Sequence, residues 1–220
     1  CDDHSAPLSF TPEMASFSNE FDFDPLRGPV KDFTQTLFND KGEVTKRVTG
    51  TMSEEGCFDT LELHDLEANT GVALVLDANY YVDAETQQQK VKLQGKCQLA
   101  ELPSAGVTWD TDDNGFVVAA HGKEMEVKYR YDADGYPLGK TTVSGDQHLS
   151  VQSTPSKDLR KRMDYTAVSL LNDKPLGKVT QSCDYDSRNN PVSCELVIAN
   201  DSGKNAVERK YTIKNTIEYY

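Results

Sequence analysis

The sequence predicts a mainly β protein: an antiparallel sheet of successive hairpins that forms a barrel, a sandwich or a curved open sheet, with few short helices. Apolar and polar residues alternate in short runs, as in residues 124–131, where Met125, Val127 and Tyr129 share one phase and charged residues the other. This alternation is typical of half-solvated antiparallel strands. Turn-forming residues separate the runs, and few stretches have helical periodicity.

The amino-terminal residues 1–20 are expected to form a tether, and residues 21–220 a single β domain. Residues 2–7 read DDHSAP, a short polar stretch that ends in proline, as a flexible linker would. Residues 12–17 can form a short helix within this segment. No composition shift beyond the tether suggests a second domain.

Four junctions share a turn pattern in which an aromatic residue is followed closely by Asp or Asn and then by Gly or Asn. They are residues 38–42, 109–115, 131–135 and 185–189. Asp and Asn bond to nearby backbone, and Gly and Asn accept left-handed backbone, so each junction predicts a tight hairpin turn.

The last of these turns predicts a disulfide. Cys183 and Cys194 lie in the apolar phases of the two flanking strands, and folding the chain about the turn places them opposite each other. Closing so short a loop contributes about 3 kcal/mol. Four cysteines allow three pairings, and with this pair set, Cys57 joins Cys97 by elimination. Zinc is the competing use of four cysteines, but the sequence has no C-x-x-C spacing.

Helical signals also occur near residue 155. Thr154 and Pro155 resemble a helix start, and residues 156–163 allow one or two helical turns. This stretch holds the dense basic cluster of an otherwise acidic chain: Lys157, Arg160, Lys161 and Arg162. The cluster could meet anionic lipid headgroups or a partner protein, although a solvated charged segment between strands is the more common use of such residues.

Cys1 is the most informative single residue for location. A mature bacterial lipoprotein begins with the cysteine that carries its lipid, and three acyl chains on Cys1 would hold the protein on a membrane. The alternative is a cysteine that stands at position 1 by chance. The chain has no initiator Met and no apolar run of about 20 residues. Asp2 resembles the signal that retains enteric lipoproteins at the inner membrane, which predicts an anchor on its periplasmic face.

Composition excludes some functions. The formal charge of −13 makes nucleic acid an improbable partner. We find no motif for a cofactor, a catalytic nucleophile or a metal pair. The densest set of oxygen ligands is Asp110, Asp112 and Asp113, which could bind calcium; turn formation explains the same residues without a metal.

Over nearly its whole length the chain resembles the YnfC-like lipoproteins of enteric bacteria. The segments that carry the resemblance are LSFTPEM (residues 8–14), FDFDPLRGPV (21–30), CQLAELPSAG (97–106) and YTIKNTI (211–217). The resemblance implies a signal peptide cleaved before Cys1, S-diacylglyceryl and N-palmitoyl groups on that residue, and attachment to the cell membrane. It implies no activity.

These observations predict a non-catalytic envelope lipoprotein: a disulfide-bonded β domain, held to the lipid bilayer by its acyl anchor, that binds a protein or a small envelope ligand. The alternatives are an envelope enzyme with unidentified carboxylates and a calcium-dependent scaffold. A deep pocket lined by convergent carboxylates or histidines with perturbed pKa values would favour the enzyme, whereas an exposed apolar groove or an unpaired strand edge would favour the binding protein.

Overall fold

The computed structural model describes residues 8–200 and 207–220. Within them, sixteen antiparallel strands form a closed barrel in which neighbours in sequence pair and the first strand pairs with the last. The first eight strands are β1 Val30–Phe38, β2 Val44–Met52, β3 Phe58–Asp65, β4 Thr70–Asp77, β5 Tyr80–Asp83, β6 Gln89–Gln94, β7 Gln98–Leu102 and β8 Val107–Thr111. The others are β9 Val117–His121, β10 Glu126–Tyr131, β11 Pro137–Ser144, β12 Gln147–Pro155, β13 Tyr165–Leu171, β14 Lys174–Tyr185, β15 Pro191–Asn200 and β16 Val207–Tyr219. The mainly β prediction is confirmed, and the architecture is the barrel.

The alternation in the sequence sets which side chains point into the barrel. In β10, Val127 and Tyr129 are buried while Lys128 and Arg130 are exposed. Successive side chains of a strand point to opposite faces, so one phase lines the interior and the other meets solvent.

The four predicted turns have one geometry in common. In each, a side-chain oxygen accepts backbone N–H groups from the residues two and four positions later, at 2.8–3.0 Å; the acceptors are Asn39, Asp112, Asp132 and Asp186. The residue three positions after the acceptor has positive φ, and these residues are Gly42, Gly115, Gly135 and Asn189. The Asx residue therefore satisfies the turn backbone, and glycine or asparagine supplies the left-handed step.

Both predicted disulfides are present. Cys183 and Cys194 are direct partners in the register of β14 and β15, with Cα atoms 4.0 Å apart. Cys57 joins Cys97 across 6.0 Å between Cα atoms and links the β2–β3 turn to the β6–β7 turn.

The amino-terminal segment closes one end of the barrel. We call residues 8–29 the plug, and the end that holds the β10–β11 and β14–β15 turns the closed end; the opposite end is the open end. The Phe10 amide donates to the Asp134 carbonyl at 2.8 Å, and the Arg27 amide to Asn190 Oδ1 at 2.7 Å. Both contacts join the plug to turns at the closed end.

Part of the plug is a helix, α1, Pro12–Phe21. Thr11 caps its start by accepting the Met14 amide at 3.2 Å, and Asp22 ends it in the left-handed conformation. Met14 and Phe17 are buried in the barrel core. The short helix is thus confirmed, but the tether boundary at residue 20 is wrong, because this helix packs inside the domain.

The plug fills one side of the interior. Phe17 stacks on Phe58 with ring centroids 4.8 Å apart and meets Tyr81 edge-on at 5.8 Å. We call strands β2–β10, which surround this apolar core, the filled half. Strands β11–β16 with β1 form the hollow half, where the inward residues Val151 and Ile198 are only half-buried.

The predicted helix at residues 156–163 is mostly absent. β12 extends through Pro155, and a single 3-10 turn, Leu159–Lys161, follows. A second 3-10 turn covers Pro103–Ala105. Within the described ranges, no helix has the length and apolar character needed to cross a bilayer.

Candidate functional site

An open cavity lies in the hollow half, between the plug and the barrel wall. It has two lobes, of about 310 and about 280 Å³. The lobes share Asp22, Phe23 and Asp24 from the plug and Tyr165 and Val179 from the wall. Each lobe approaches the size of a small-molecule site.

Apolar side chains form most of the cavity wall. They come from strands of the hollow half, β1 and β12–β16, and from β2 at the border of the filled half, and comprise Leu37, Val48, Val151, Ala167, Val179, Leu196, Ile198 and Ile213. A ligand that covers this wall removes apolar surface from water, at about 25 cal/mol for each Å².

The cavity opens toward the open end. Lys140 pairs with Tyr129 in the barrel register and points inward, yet it is exposed. Leu149, also in an inward phase, is 39% exposed. Inward side chains that reach solvent show that the plug does not cover this end of the hollow half.

The floor of the cavity carries Asp24, whose carboxylate is bonded to one glutamine and whose backbone is bonded to another. Gln181 donates from Nε2 to Asp24 Oδ2 at 3.2 Å, while the Gln35 side-chain oxygen accepts the Asp24 amide at 2.9 Å. The pKa of Asp24 is raised to about 6, chiefly by burial and to a smaller extent by the negative charge of Asp22, while the hydrogen bond from Gln181 and the charge of Lys46 oppose the rise. Asp24 therefore places in the apolar cavity a carboxyl group that titrates near neutral pH.

One other acidic side chain of the plug borders this floor. Asp22 forms an ion pair with Lys46, whose Nζ lies 2.9 Å from Asp22 Oδ2. Asp22 and Asp24 thus make the plug the polar surface of a mainly apolar cavity. Glu20 lies outside the cavity lining, beside Tyr129 and Trp109, where burial raises the pKa of its carboxyl group.

The sequence-predicted site residues are dispersed. Cys1 and Asp2 lie outside the described residues. Asp110 is on the outer face of β8, where its Oδ2 lies 2.6 Å from His121 Nε2, and Asp112 is the acceptor of a hairpin turn. Asp113 is exposed beside that turn. In residues 8–200 and 207–220 no three His, Cys, Asp or Glu side chains form a metal-binding group, so the predicted calcium cluster is not assembled.

The sequence interpretation missed the lumen residues Asp24, Gln35 and Gln181. A signal was present for the two glutamines, because each lies in the inward phase of a strand whose other inward residues are apolar: Phe33 and Leu37 in β1, and Val179 and Cys183 in β14. A polar residue in a buried phase indicates an internal partner. Asp24 lies in the plug, which carries no strand pattern.

The basic cluster is divided by the fold. Lys157, Arg160 and Lys161 are exposed on the β12–β13 loop. Arg162 is buried, where it pairs with Asp132 and donates to the Ser156 carbonyl at 2.8 Å.

The model of an uncharacterised protein family, UPF0257, matches residues 1–220. The chain is 70% identical over 220 residues to proteins called "UPF0257 lipoprotein YnfC" from Salmonella dublin and from Escherichia coli K12. Each match covers 100% of this chain and 93% of the relative.

The alignment with a solved structure, that of a porin-like protein from Bacteroides uniformis, covers 87% of this chain and 98% of the porin-like chain. The identity is 10% and the TM-score 0.48. This likeness is too low to carry an argument about fold or function.

Proposed function

Because this chain belongs to the uncharacterised protein family UPF0257, whose relatives are named lipoproteins, we propose that it is an acyl-anchored envelope protein that binds a small amphipathic molecule in the hollow half of its barrel. The observation that carries the binding role is the open apolar cavity with a carboxylate at its floor. Apolar walls with a few placed polar groups are typical of small-molecule sites.

The anchor is proposed at Cys1, as S-diacylglyceryl and N-acyl groups. The lipoprotein names of the relatives support it. Asp2 supports placement at the periplasmic face of the inner membrane. Three acyl chains bind a bilayer essentially permanently, since each buried methylene contributes about 0.8 kcal/mol.

The cavity has the chemistry for an amphipathic ligand. Its apolar part would lie against Val48, Val179 and Ile198, and its polar part would reach Asp24. Asp22 is already paired with Lys46, so Asp24 is the carboxyl group better placed to receive a hydrogen-bond donor.

The second candidate is an envelope enzyme, and the raised pKa of Asp24 is the observation that favours it, because general acids are tuned in this way. We favour binding because the Asp24 contacts are two glutamines, which hold the floor in place but supply neither a nucleophile nor a base.

Fluorescence of the apolar amine N-phenyl-1-naphthylamine tests the binding role. The native barrel should bind the probe saturably at one site. Val179→Arg places a charge in both lobes and should weaken binding at least about tenfold, since a buried unpaired charge is costly.

Val168→Arg is the matched control, because Val168 is an exposed valine on the outer face of the adjacent strand β13. It should bind the probe as the native protein does. Equal loss in both variants, or no saturable binding by the native protein, would contradict a lumen site.

A further inference from the structure

The β12–β13 loop presents a basic surface at the closed end of the barrel. We call its exposed segment, residues 157–161, the basic loop: it carries three cations, Lys157, Arg160 and Lys161, together with Leu159 and one acidic residue, Asp158, which caps the 3-10 turn by accepting the Arg160 amide. Leu159 is 40% exposed between the cations. The loop combines positive charge with an accessible apolar side chain, the composition of a surface that meets lipid headgroups.

The basic loop lies where the amino-terminal chain joins the barrel. A single guanidinium nitrogen, Nη1 of Arg27, donates to the Leu8 carbonyl at 3.2 Å and to the Leu159 carbonyl at 2.5 Å. Both carbonyl oxygens thus lie within one hydrogen bond of the same atom. This contact fixes the loop beside residue 8.

Residue 8 is close in sequence to the proposed anchor. Six residues lie between it and Cys1, and the seven Cα-to-Cα steps span at most about 25 Å when fully extended. The anchor therefore confines the basic loop to a layer near the bilayer surface, where the local concentration of headgroups is high.

We propose that the basic loop docks on anionic phospholipid headgroups of the membrane that holds the acyl chains. This inference rests on the anchor of the proposed function and is independent of the cavity ligand. Each cation near an anionic bilayer contributes about fivefold in binding.

Charges elsewhere at the closed end give the docking a direction. Glu54 and Glu55 are exposed on the β2–β3 turn, and Asp112 and Asp113 on the β8–β9 turn. These acidic turns are repelled by the surface that attracts the basic loop. The barrel should therefore tilt with its β12–β13 side toward the bilayer and its open end away from it.

Lysine acetylation in vesicles tests this orientation. The native lipidated chain is reconstituted in phosphatidylcholine vesicles with or without phosphatidylglycerol, labelled with a water-soluble acetylating reagent, and read by peptide mass spectrometry. Lys157 and Lys161 should label about fivefold more slowly with phosphatidylglycerol present, and high salt should abolish the difference. The exposed lysines Lys41, Lys123 and Lys174, on turns or at a strand start at the open end, should label equally in both.

Arg160→Gln leaves both reporter lysines in place and should reduce their protection. Arg130→Gln removes an exposed cation from the outer face of β10 and should leave it unchanged. Equal labelling of all five lysines in both kinds of vesicle overturns the inference. The same labelling is also done in native membranes, and protection found only there would overturn it too, because it would indicate a protein partner. A native amino-terminal peptide without added lipid mass would instead contradict the anchor.

Discussion

The filled and hollow halves of the barrel have the same alternation of inward and outward residues along their strands but differ in what occupies their interior. In the filled half, the plug packs Phe17 against Phe58 and Tyr81, and these side chains are nearly inaccessible. In the hollow half, inward residues such as Val151 and Ile198 remain half-buried around an open cavity. The plug supplies side chains to one side of the interior and leaves the other to solvent.

The difference separates stability from function. A packed interior contributes free energy of unfolding because its side chains leave water and fill space. An open apolar cavity forgoes that gain, as binding sites commonly do. Substitutions in the two halves should therefore have different consequences.

The largest expected effect is in the filled half. Phe17→Ala removes a ring that is 1% exposed and should lower the free energy of unfolding by about 3–5 kcal/mol, because the loss leaves a cavity among packed aromatic rings. Urea denaturation followed by circular dichroism measures the change.

Val151→Ala in the hollow half is compared with the same truncation in the filled half, Val117→Ala in β9, where the side chain is 1% exposed. The Val151 side chain already faces the cavity, so its loss should be below about 1 kcal/mol and below that of Val117→Ala. Similar losses for the two valine variants would contradict the division into halves.

An intermediate effect is expected at the cavity floor, with the opposite sign. The pKa of Asp24 is about 6 in the folded protein against an ordinary value near 3.8, so stability falls as pH rises from about 4 through 6. Asp24→Asn mimics the protonated carboxyl group. It should raise the free energy of unfolding at pH 7 by about 3 kcal/mol, and the gain should disappear below about pH 4.

Urea titrations of both forms across this pH range measure the gain. A gain that does not change with pH would show that ionisation of Asp24 is not its cause. Reduced probe binding by the same variant would connect the stability cost with the cavity.

The smallest effect concerns the outer face of the filled half, where His121 bridges Asp110 and Glu126 across three strands. The hydrogen bond to Asp110, and then that to Glu126, raises the pKa of His121 above its ordinary 6.5. A raised histidine pKa gives stability that is fully present below about pH 6.5 and is lost as pH rises through the folded-state pKa.

His121→Gln should therefore cost more stability in mildly acidic than in alkaline buffer. Thermal melts at a series of pH values measure the difference. Asp110→Asn should likewise cost more stability in mildly acidic than in alkaline buffer. A cost that is constant with pH would exclude the charged bridge.

Local structure was easier to predict from the sequence than the closure of the sheet into a barrel. Strand alternation, the Asx turns and the Cys183–Cys194 pair depend on residues close in the chain, and these predictions are confirmed. Closure depends on pairing β1 with β16, which no local pattern specifies. The barrel was therefore one of three architectures compatible with the same strands.

The plug and the site were harder to predict for related reasons. Met14 and Phe17 give α1 an apolar face, but the short polar stretch before it suggested a tether throughout. The cavity arises because the plug leaves part of the interior unfilled, a property of volume rather than of any motif. The raised pKa of Asp24 comes from its burial in the folded barrel, and Gln181, which bonds its carboxyl group, is distant in sequence.

The β1–β16 seam also governs when the molecule can be completed during synthesis. The ring cannot shut until the last strand has been made and has met the first. Until then, two long strand edges stand open to other chains. The hairpin disulfide of Cys183 and Cys194 can form before that moment, whereas a chain truncated before β16 should aggregate rather than survive as a smaller barrel.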